Sequence, residues 1–168
     1  TDEISLTLPL HIMEASGIKL EGATKTLYEM YKKLSHDLGR DGKKAGKGFY
    51  DYPKGGKKHL WLELEKHFPS NLDYLDAETV GKRMLHIMSL ESYKCYEEGV
   101  LKTTTDGDVG SLTGFGFPPF TGGVFSYIDY IGLNNFIKEC DDFSNRFGDR
   151  FMVPDSLRKM ASEGKTFY

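Results

Sequence analysis

The sequence predicts an all-α fold, and three observations carry that prediction. Apolar residues recur with a helical period over residues 27–38. The same character returns over about 76–98. Strand-like alternation is scarce, limited to a few residues around "HLWLELE" (His59–Glu65), which suits a short helix equally well.

Taken in order, Leu27, Met30, Tyr31, Leu34 and Leu38 fall at i, i+3, i+4, i+7 and i+11, one apolar stripe, and Gly39 follows as a helix stop. In the next helix Asp76 is the N-cap, Glu78 sits in the first turn and Gly99 closes the end. Val80, Met84, Ile87, Met88, Glu91 and Cys95 line most of one side of it. Thr121 is placed to cap a helix carrying Val124, Phe125 and Ile128. Asn134 is placed to cap one carrying Phe136, Ile137, Cys140, Phe143 and Phe147. Asp155 or Ser156 caps a short last helix ending at Gly164. Residues 39–58 and 110–123 read as irregular Gly/Pro loops.

The totals bound the function. A chain of 168 residues, 39% hydrophobic and 28% charged, has the composition of a globular protein able to bury a core. A net charge of −3 argues against a general nucleic-acid binder. No apolar run approaches the ~20 residues of a membrane span, and no secretory leader is visible. Cys95 and Cys140 lie in amphipathic patterns and read as reduced core thiols. The five histidines show no metal-ligand spacing, so no metal is expected. Glu97 and Glu98 read as surface carboxylates at a helix end.

Internal similarity is the most informative feature. "AGKGFY" (Ala45–Tyr50) reappears as "EGKTFY" (Glu163–Tyr168), each after a basic stretch. "DEISL" (Asp2–Leu6) resembles "DYIGL" (Asp129–Leu133), so the two marks occur in the same order twice. This predicts a duplicated helical repeat with its first copy truncated at the N-terminus: residues 1–53 a truncated first copy, 54–75 a linker, 76–168 the second copy. A long helix and a Gly/Pro loop precede "DYIGL", whereas only Thr1 precedes "DEISL". The chain is therefore expected to be part of a longer protein. In the first copy Ile4, Leu6, Leu27 and Met30 would have lost a covering helix, and coverage by the second copy with some self-association is the expected remedy.

The loop "GRDGKKAGKGFYDYP" (Gly39–Pro53) invites a phosphate-binding reading. It is not a P-loop, since "GKKAGKG" has three residues between its glycines and ends in Gly. Seven cations lie between Arg40 and Lys58 against Asp41 and Asp51. The plainer role is a solvated loop that closes one repeat, with Gly39, Gly42, Gly46 and Gly48 permitting unusual backbone angles and Phe49 and Tyr50 hooking back to the core. The sharper role is contact with anionic phosphates through Lys43, Lys44 and Lys47. In the second loop Gly116, Pro118, Pro119, Gly122 and Gly123 read as structural. "GFGFPPFTGG" is no dinucleotide fingerprint, because no strand precedes it and Pro118–Pro119 blocks immediate helix entry.

"CYEEGVLKTTTDGDVGSLTGFGFPPFTGG" (Cys95–Gly123) and "LGRDGKKAGKGFYDY" (Leu38–Tyr52) resemble the C-terminal region of NAD-dependent 3-hydroxyacyl-CoA dehydrogenases. The likeness is greatest to the multifunctional β-oxidation α subunits and covers nearly the whole chain. The fold this implies is a duplicated helical repeat of the kind seen in the C-terminal part of 6-phosphogluconate dehydrogenase. The activity it implies, for the parent, is oxidation of 3-hydroxyacyl-CoA to 3-ketoacyl-CoA in fatty acid β-oxidation. NAD would be the parent's cofactor, with none bound by this chain. The implied partners are an upstream dinucleotide-binding domain, the acyl-CoA substrate and a thiolase subunit, in bacterial cytoplasm or mitochondrial matrix. The phosphates facing Lys43, Lys44 and Lys47 would be those of coenzyme A. The family's catalytic His and Glu match no position here, so no catalytic residue is assigned. Lys82 stands where the second copy would carry a family Asn, and Leu90 replaces another. The competing reading, from another class, is a free-standing helical scaffold with no enzymatic parent.

Overall fold

The computed structural model describes residues 2–69 and 75–168, and the chain divides into two compact units, Thr1–Asn71 and Leu72–Tyr168. Both are helical, as the period predicts; the described residues add a single two-stranded ladder.

Unit 1 opens with α1 (Thr7–Ala15) and α2 (Gly22–Lys32). The chain continues from α2 into one π turn, Lys33–Asp37, whose widened ring is closed by the Leu38 amide on the Lys33 carbonyl at 3.0 Å. Gly39, at φ +60°, stops it as expected. A 3₁₀ turn (Lys43–Ala45) leads to β1 (Tyr50–Asp51), which pairs antiparallel with β2 (His59–Leu60). The short α3 (Leu64–His67) follows, so "HLWLELE" divides between a strand and a helix. Leu6, Leu10 and Leu34 are the buried apolar side chains of this unit.

Of the four side chains expected to be uncovered, Ile4 and Leu27 are 67% and 42% exposed and Met30 is half-buried. Leu6 departs from the expectation and is fully buried. Its amide bonds to the Asp41 carbonyl at 3.0 Å, which draws the start of α1 under the loop. Asp41 also caps α1 from a distance, accepting from the Thr7 amide at 2.8 Å and the Thr7 hydroxyl at 2.6 Å. Burial would raise the Asp41 carboxyl, but these bonds and those from Ser5 outweigh it and hold it below the usual carboxylate range.

Unit 2 starts with α4 (Ala77–Glu97), capped by Asp76 through the Thr79 amide at 2.7 Å. Next comes α5 (Thr104–Gly114), capped by the Thr103 hydroxyl on the Asp106 amide at 3.0 Å. This corrects the loop expected from residue 110. The helix is glycine-rich and has no apolar stripe, so its period is hidden; it forms because Thr103 caps it and Gly107 lets the Phe125 ring pack against its backbone.

Pro118 and Pro119 introduce a 3₁₀ turn (Pro119–Thr121), and Gly122 and Gly123, at φ +80° and +120°, swing the chain into α6 (Val124–Ile131). Thr121 is not the cap of α6, because two glycines intervene. That task falls to Asp108 of α5, whose carboxylate accepts from the Phe125 amide at 2.7 Å and the Ser126 hydroxyl at 2.5 Å. A Cβ on Gly123 would lie 2.5 Å from the Asp108 Cα. Gly132, at φ +85°, turns the chain directly into α7 (Leu133–Phe147), so Asn134 sits inside that helix rather than capping it. The last helix, α8 (Asp155–Ser162), is entered through Pro154, which leaves Asp155 in its first turn. The core joins Leu90 and Tyr93 of α4 to Val124, Phe125 and Ile128 of α6, Phe136 and Cys140 of α7, and Leu157 of α8.

The two sequence matches make matching hydrogen bonds. In unit 1 the Asp2 carboxylate accepts from the Phe49 and Tyr50 amides at 3.0 and 2.9 Å. In unit 2 Asp129 accepts from the Phe167 and Tyr168 amides, both at 3.0 Å. Asp108 ties the second of these closures to α6, since its Oδ2 also accepts from the Tyr168 hydroxyl at 3.0 Å.

Asp108 is 5% exposed and serves several donors, so its removal leaves buried amides unpaired. Asp108→Ala is expected to cost about 2–4 kcal/mol. Urea unfolding followed by far-UV circular dichroism measures this; a loss no larger than that of an ordinary surface variant would contradict the role.

Candidate functional site

The basic loop is built around Asp2. The Lys43 amide bonds to the Asp2 carbonyl at 2.8 Å, and Gly42, at φ +110°, lies so close that a Cβ would meet that carbonyl oxygen. Gly48 lies against the Asp2 carboxylate in the same way, so these two glycines are required by close approach and not by flexibility. Arg40 is buried beneath the loop. Its Nε donates to the Gly48 carbonyl at 2.7 Å, its Nη2 to Asp51 Oδ1 at 2.6 Å, and its guanidinium stacks 4.1 Å from the Trp61 ring centre. Arg40 thus serves the scaffold and is unavailable to a ligand.

Lys43, Lys44 and Lys47 are brought together on this turn, and all three are exposed. Lys43 already pairs with Glu3 at 2.7 Å, which holds the Glu3 carboxyl below its ordinary value. Lys44 and Lys47 form no ion pair among the described residues. Gly39 and Gly46 (φ +74°) shape the turn around them, Phe49 is half-buried, and the Tyr50 ring lies under Lys58, whose Nζ is 5.2 Å from its centre. In the second loop Gly116 has φ +72° and, like Pro118, Pro119, Gly122 and Gly123, shapes the chain without offering a charged group.

A second constellation, on α4 and α7, carries no motif or spacing that marks it in the sequence. His86 is fully buried, stacked on Phe136 with ring centres 4.8 Å apart and edge-on to Phe143 and Tyr127. Its Nδ1 lies 2.8 Å from the Lys82 carbonyl, which can only accept, so the proton sits on Nδ1. The Tyr127 hydroxyl is 3.3 Å from the same nitrogen. Nε2 lies 2.9 Å from Glu139 Oε2 but outside hydrogen-bonding geometry. Lys82 reaches Glu139 at 3.1 Å and Glu78 at 3.5 Å, and its amine is raised chiefly by the bond to Glu139. This group borders a 340 Å³ cleft that Lys138, Asp142 and Arg146 also line. Lys82 pairs with Glu78 and Glu139, Arg146 with Asp142, and the one buried imidazole is held by ring stacking, so the arrangement reads as a structural cluster.

A third feature is apolar. A groove of 620 Å³ runs between α4 and α5, lined by Ile87, Met88, Cys95, Leu101, Gly110 and Phe115 among others. Cys95 is half-buried there and not in the core; Cys140 is in the core, where burial pushes its thiol up to about 12. Both are free thiols. Among the described residues no group of three or more His, Cys, Asp or Glu could hold a metal, and no helix is long and apolar enough to cross a membrane. Among the described residues the one ladder is two residues long, and "GFGFPP" leads into a 3₁₀ turn.

No family model matches the chain. Curated relatives do. The chain is 40% identical to a fatty acid oxidation complex subunit alpha of Shewanella halifaxensis, over 99% of its own length and 24% of the relative's. It is 37% identical to the same subunit of Shewanella frigidimarina, over 99% and 24%. For Vibrio vulnificus the identity is 36%, over 99% and 23%. The chain thus spans about a quarter of the length of the relatives it matches.

Burial lowers the His86 pKa, opposed in part by the Lys82 carbonyl and the Glu139 carboxylate. A base whose folded pKa is depressed contributes stability above its unfolded value of about 6.5 and loses it as pH falls. The melting-temperature gap between wild type and His86→Leu should therefore be widest above pH 7 and narrow toward pH 5. A gap independent of pH across that range contradicts this.

Proposed function

Because this chain is a relative of the fatty acid oxidation complex alpha subunits and matches their C-terminal region, we propose that it is the helical C-terminal part of a 3-hydroxyacyl-CoA dehydrogenase of β-oxidation. The homology across 99% of the chain carries this reading. The parent would pass hydride from 3-hydroxyacyl-CoA to NAD, and the chemistry would belong to an upstream dinucleotide-binding domain. This chain would wall the acyl-CoA cleft, contact that domain and a thiolase subunit, and be inactive alone. The bacterial sources of the relatives support a bacterial cytoplasmic setting over a mitochondrial matrix.

The matched closures at Asp2 and Asp129 support a duplicated origin for the two units. Two further correspondences agree with it. Gly46 and Gly164 hold φ of +74° and +66° at equivalent places in the closing motif. Ser5 and Gly132, three residues after the paired aspartates, both take positive φ, and Ser5 is a non-glycine residue in that conformation.

The basic turn is the part of this chain that would meet coenzyme A. Lys44 and Lys47 offer free ammonium groups, and Lys43 would exchange Glu3 for a phosphate oxygen. Changing all three to Ser in the parent should raise KM for acyl-CoA roughly two- to fivefold per contacting lysine at low salt, with kcat little changed. An unchanged KM leaves the turn a loop-closing role only. Calorimetric titration of the isolated chain with NAD should give no saturable heat; micromolar binding would overturn the assignment of the chemistry to an upstream domain.

A further inference from the structure

Two basic turns of unit 1 lie side by side. Gly42 pairs antiparallel with Lys47, Lys47 with Asp51, and β1 with β2, so the chain doubles back repeatedly. Alternate turns of such a meander fall at the same end. The turns at 43–46 and 52–58 are therefore neighbours, and the Tyr52 amide ties them through the Gly46 carbonyl at 3.0 Å. The second turn brings Lys54 and Lys57 to the same edge as Lys44 and Lys47; both are exposed and form no ion pair among the described residues. A chain of net charge −3 thus gathers two lysine clusters on one edge, which draws polyanions.

A pocket of 220 Å³ opens beside the clusters, lined by Asp2, Glu3, Phe49, Tyr50, Tyr52 and Lys58. It touches both turns. Lys58 of the second turn lies in its wall, and Glu3 holds Lys43 of the first at 2.7 Å. The Asp2 carboxylate is already met by the Phe49 and Tyr50 amides and by the Tyr52 hydroxyl at 3.1 Å, so it serves as a floor. The volume falls below the roughly 300 Å³ of the smallest drug-sized sites, which suits one flat ring with the rest of the ligand outside. Tyr50, 37% exposed, offers aromatic surface for stacking.

We propose that this pocket and the two turns bind the nucleotide end of coenzyme A, with adenine in the pocket against Tyr50, the 5′-diphosphate on Lys43, Lys44 and Lys47, and the 3′-phosphate on Lys54 and Lys57. The name of the ligand rests on the β-oxidation reading above; the site itself asks for an aromatic base with phosphates at two separate positions. Once Lys43 turns from Glu3 to a phosphate, the Glu3 carboxylate accepts the exocyclic amine of adenine. NAD carries the base and a diphosphate but no 3′-phosphate, so it leaves the second cluster empty.

Calorimetric titration of the 168-residue chain at low salt with adenosine 3′,5′-bisphosphate and with ADP tests this, since the two share base and phosphate number and differ in phosphate placement. The bisphosphate should bind saturably and about fivefold more tightly than ADP. Lys54→Ser with Lys57→Ser should erase that preference, Tyr50→Ser should weaken both nucleotides about tenfold, and Lys32→Gln, an exposed lysine of α2, should change neither. Absence of saturable binding overturns the proposal. So does equal affinity for the two nucleotides, or inorganic diphosphate binding as tightly as the bisphosphate, which would reduce the edge to a patch of charge. Each of these failures leaves the β-oxidation reading standing if the parent still oxidises 3-hydroxyacyl-CoA.

Discussion

Carboxylates that accept backbone amides across long sequence separations hold this chain in shape. Asp2, Asp108 and Asp129 each gather two or more donors from segments 17 to 60 residues away. A charge-assisted bond is about twice as strong as a neutral one, and leaving buried amides unpaired is costly. The glycines around these groups follow from the same constraint. Gly42 and Gly48 sit against Asp2, and Gly123 against Asp108, where no side chain would fit. The glycine-rich loops, which resemble phosphate-binding sequences, are wrapped around anions that belong to the protein itself.

This changes how charge in the basic loop is to be read. Of the cations between Arg40 and Lys58, Arg40 is spent on Gly48, Asp51 and Trp61, Lys43 on Glu3, and Lys58 lies over Tyr50. Each also helps to fix the turn that displays Lys44 and Lys47. A rigid platform lowers the entropy lost when an anion is bound, which is the physical link between loop closure and ligand contact. The two readings of the loop are therefore compatible.

The helical class was legible because 3.6-residue periodicity is strong over 27–38 and 77–97, and because Asp76 and Gly39 mark ends in the ordinary way. α5 was not, since a helix held by Thr103, Gly107 and Asp108 carries no apolar stripe. The caps of α6 and α7 were misplaced for a related reason. Sequence rules look for a capping side chain next to the helix, whereas α6 borrows Asp108 from another helix and α7 follows a glycine turn. The closing motifs were visible as repeated residues, but the aspartates that hold them lie 38 to 48 positions away, and periodicity carries no record of such pairs. His86 gave no signal because a lone histidine on an amphipathic helix looks the same whether stacked in a core or exposed.

α4 shows most clearly what a hydrophobic pattern measures. Its more apolar face is the exposed one, and its core face includes His86 and Ser89. A histidine is tolerated there because Phe136, Phe143 and Tyr127 enclose its ring and the Lys82 carbonyl takes its proton donor. Small and polar core residues let α4 approach α6 and α7 closely, while Val80 and Met84 are left 40% and 58% exposed and Met88, half-buried, packs against the edge of the core. Burying even one such side chain is worth roughly 1.5–3 kcal/mol. The apolar stripe of this helix thus does not by itself mark the face that folding buries: His86, Ser89, Leu90 and Tyr93 are buried, and the more apolar stripe stays partly exposed.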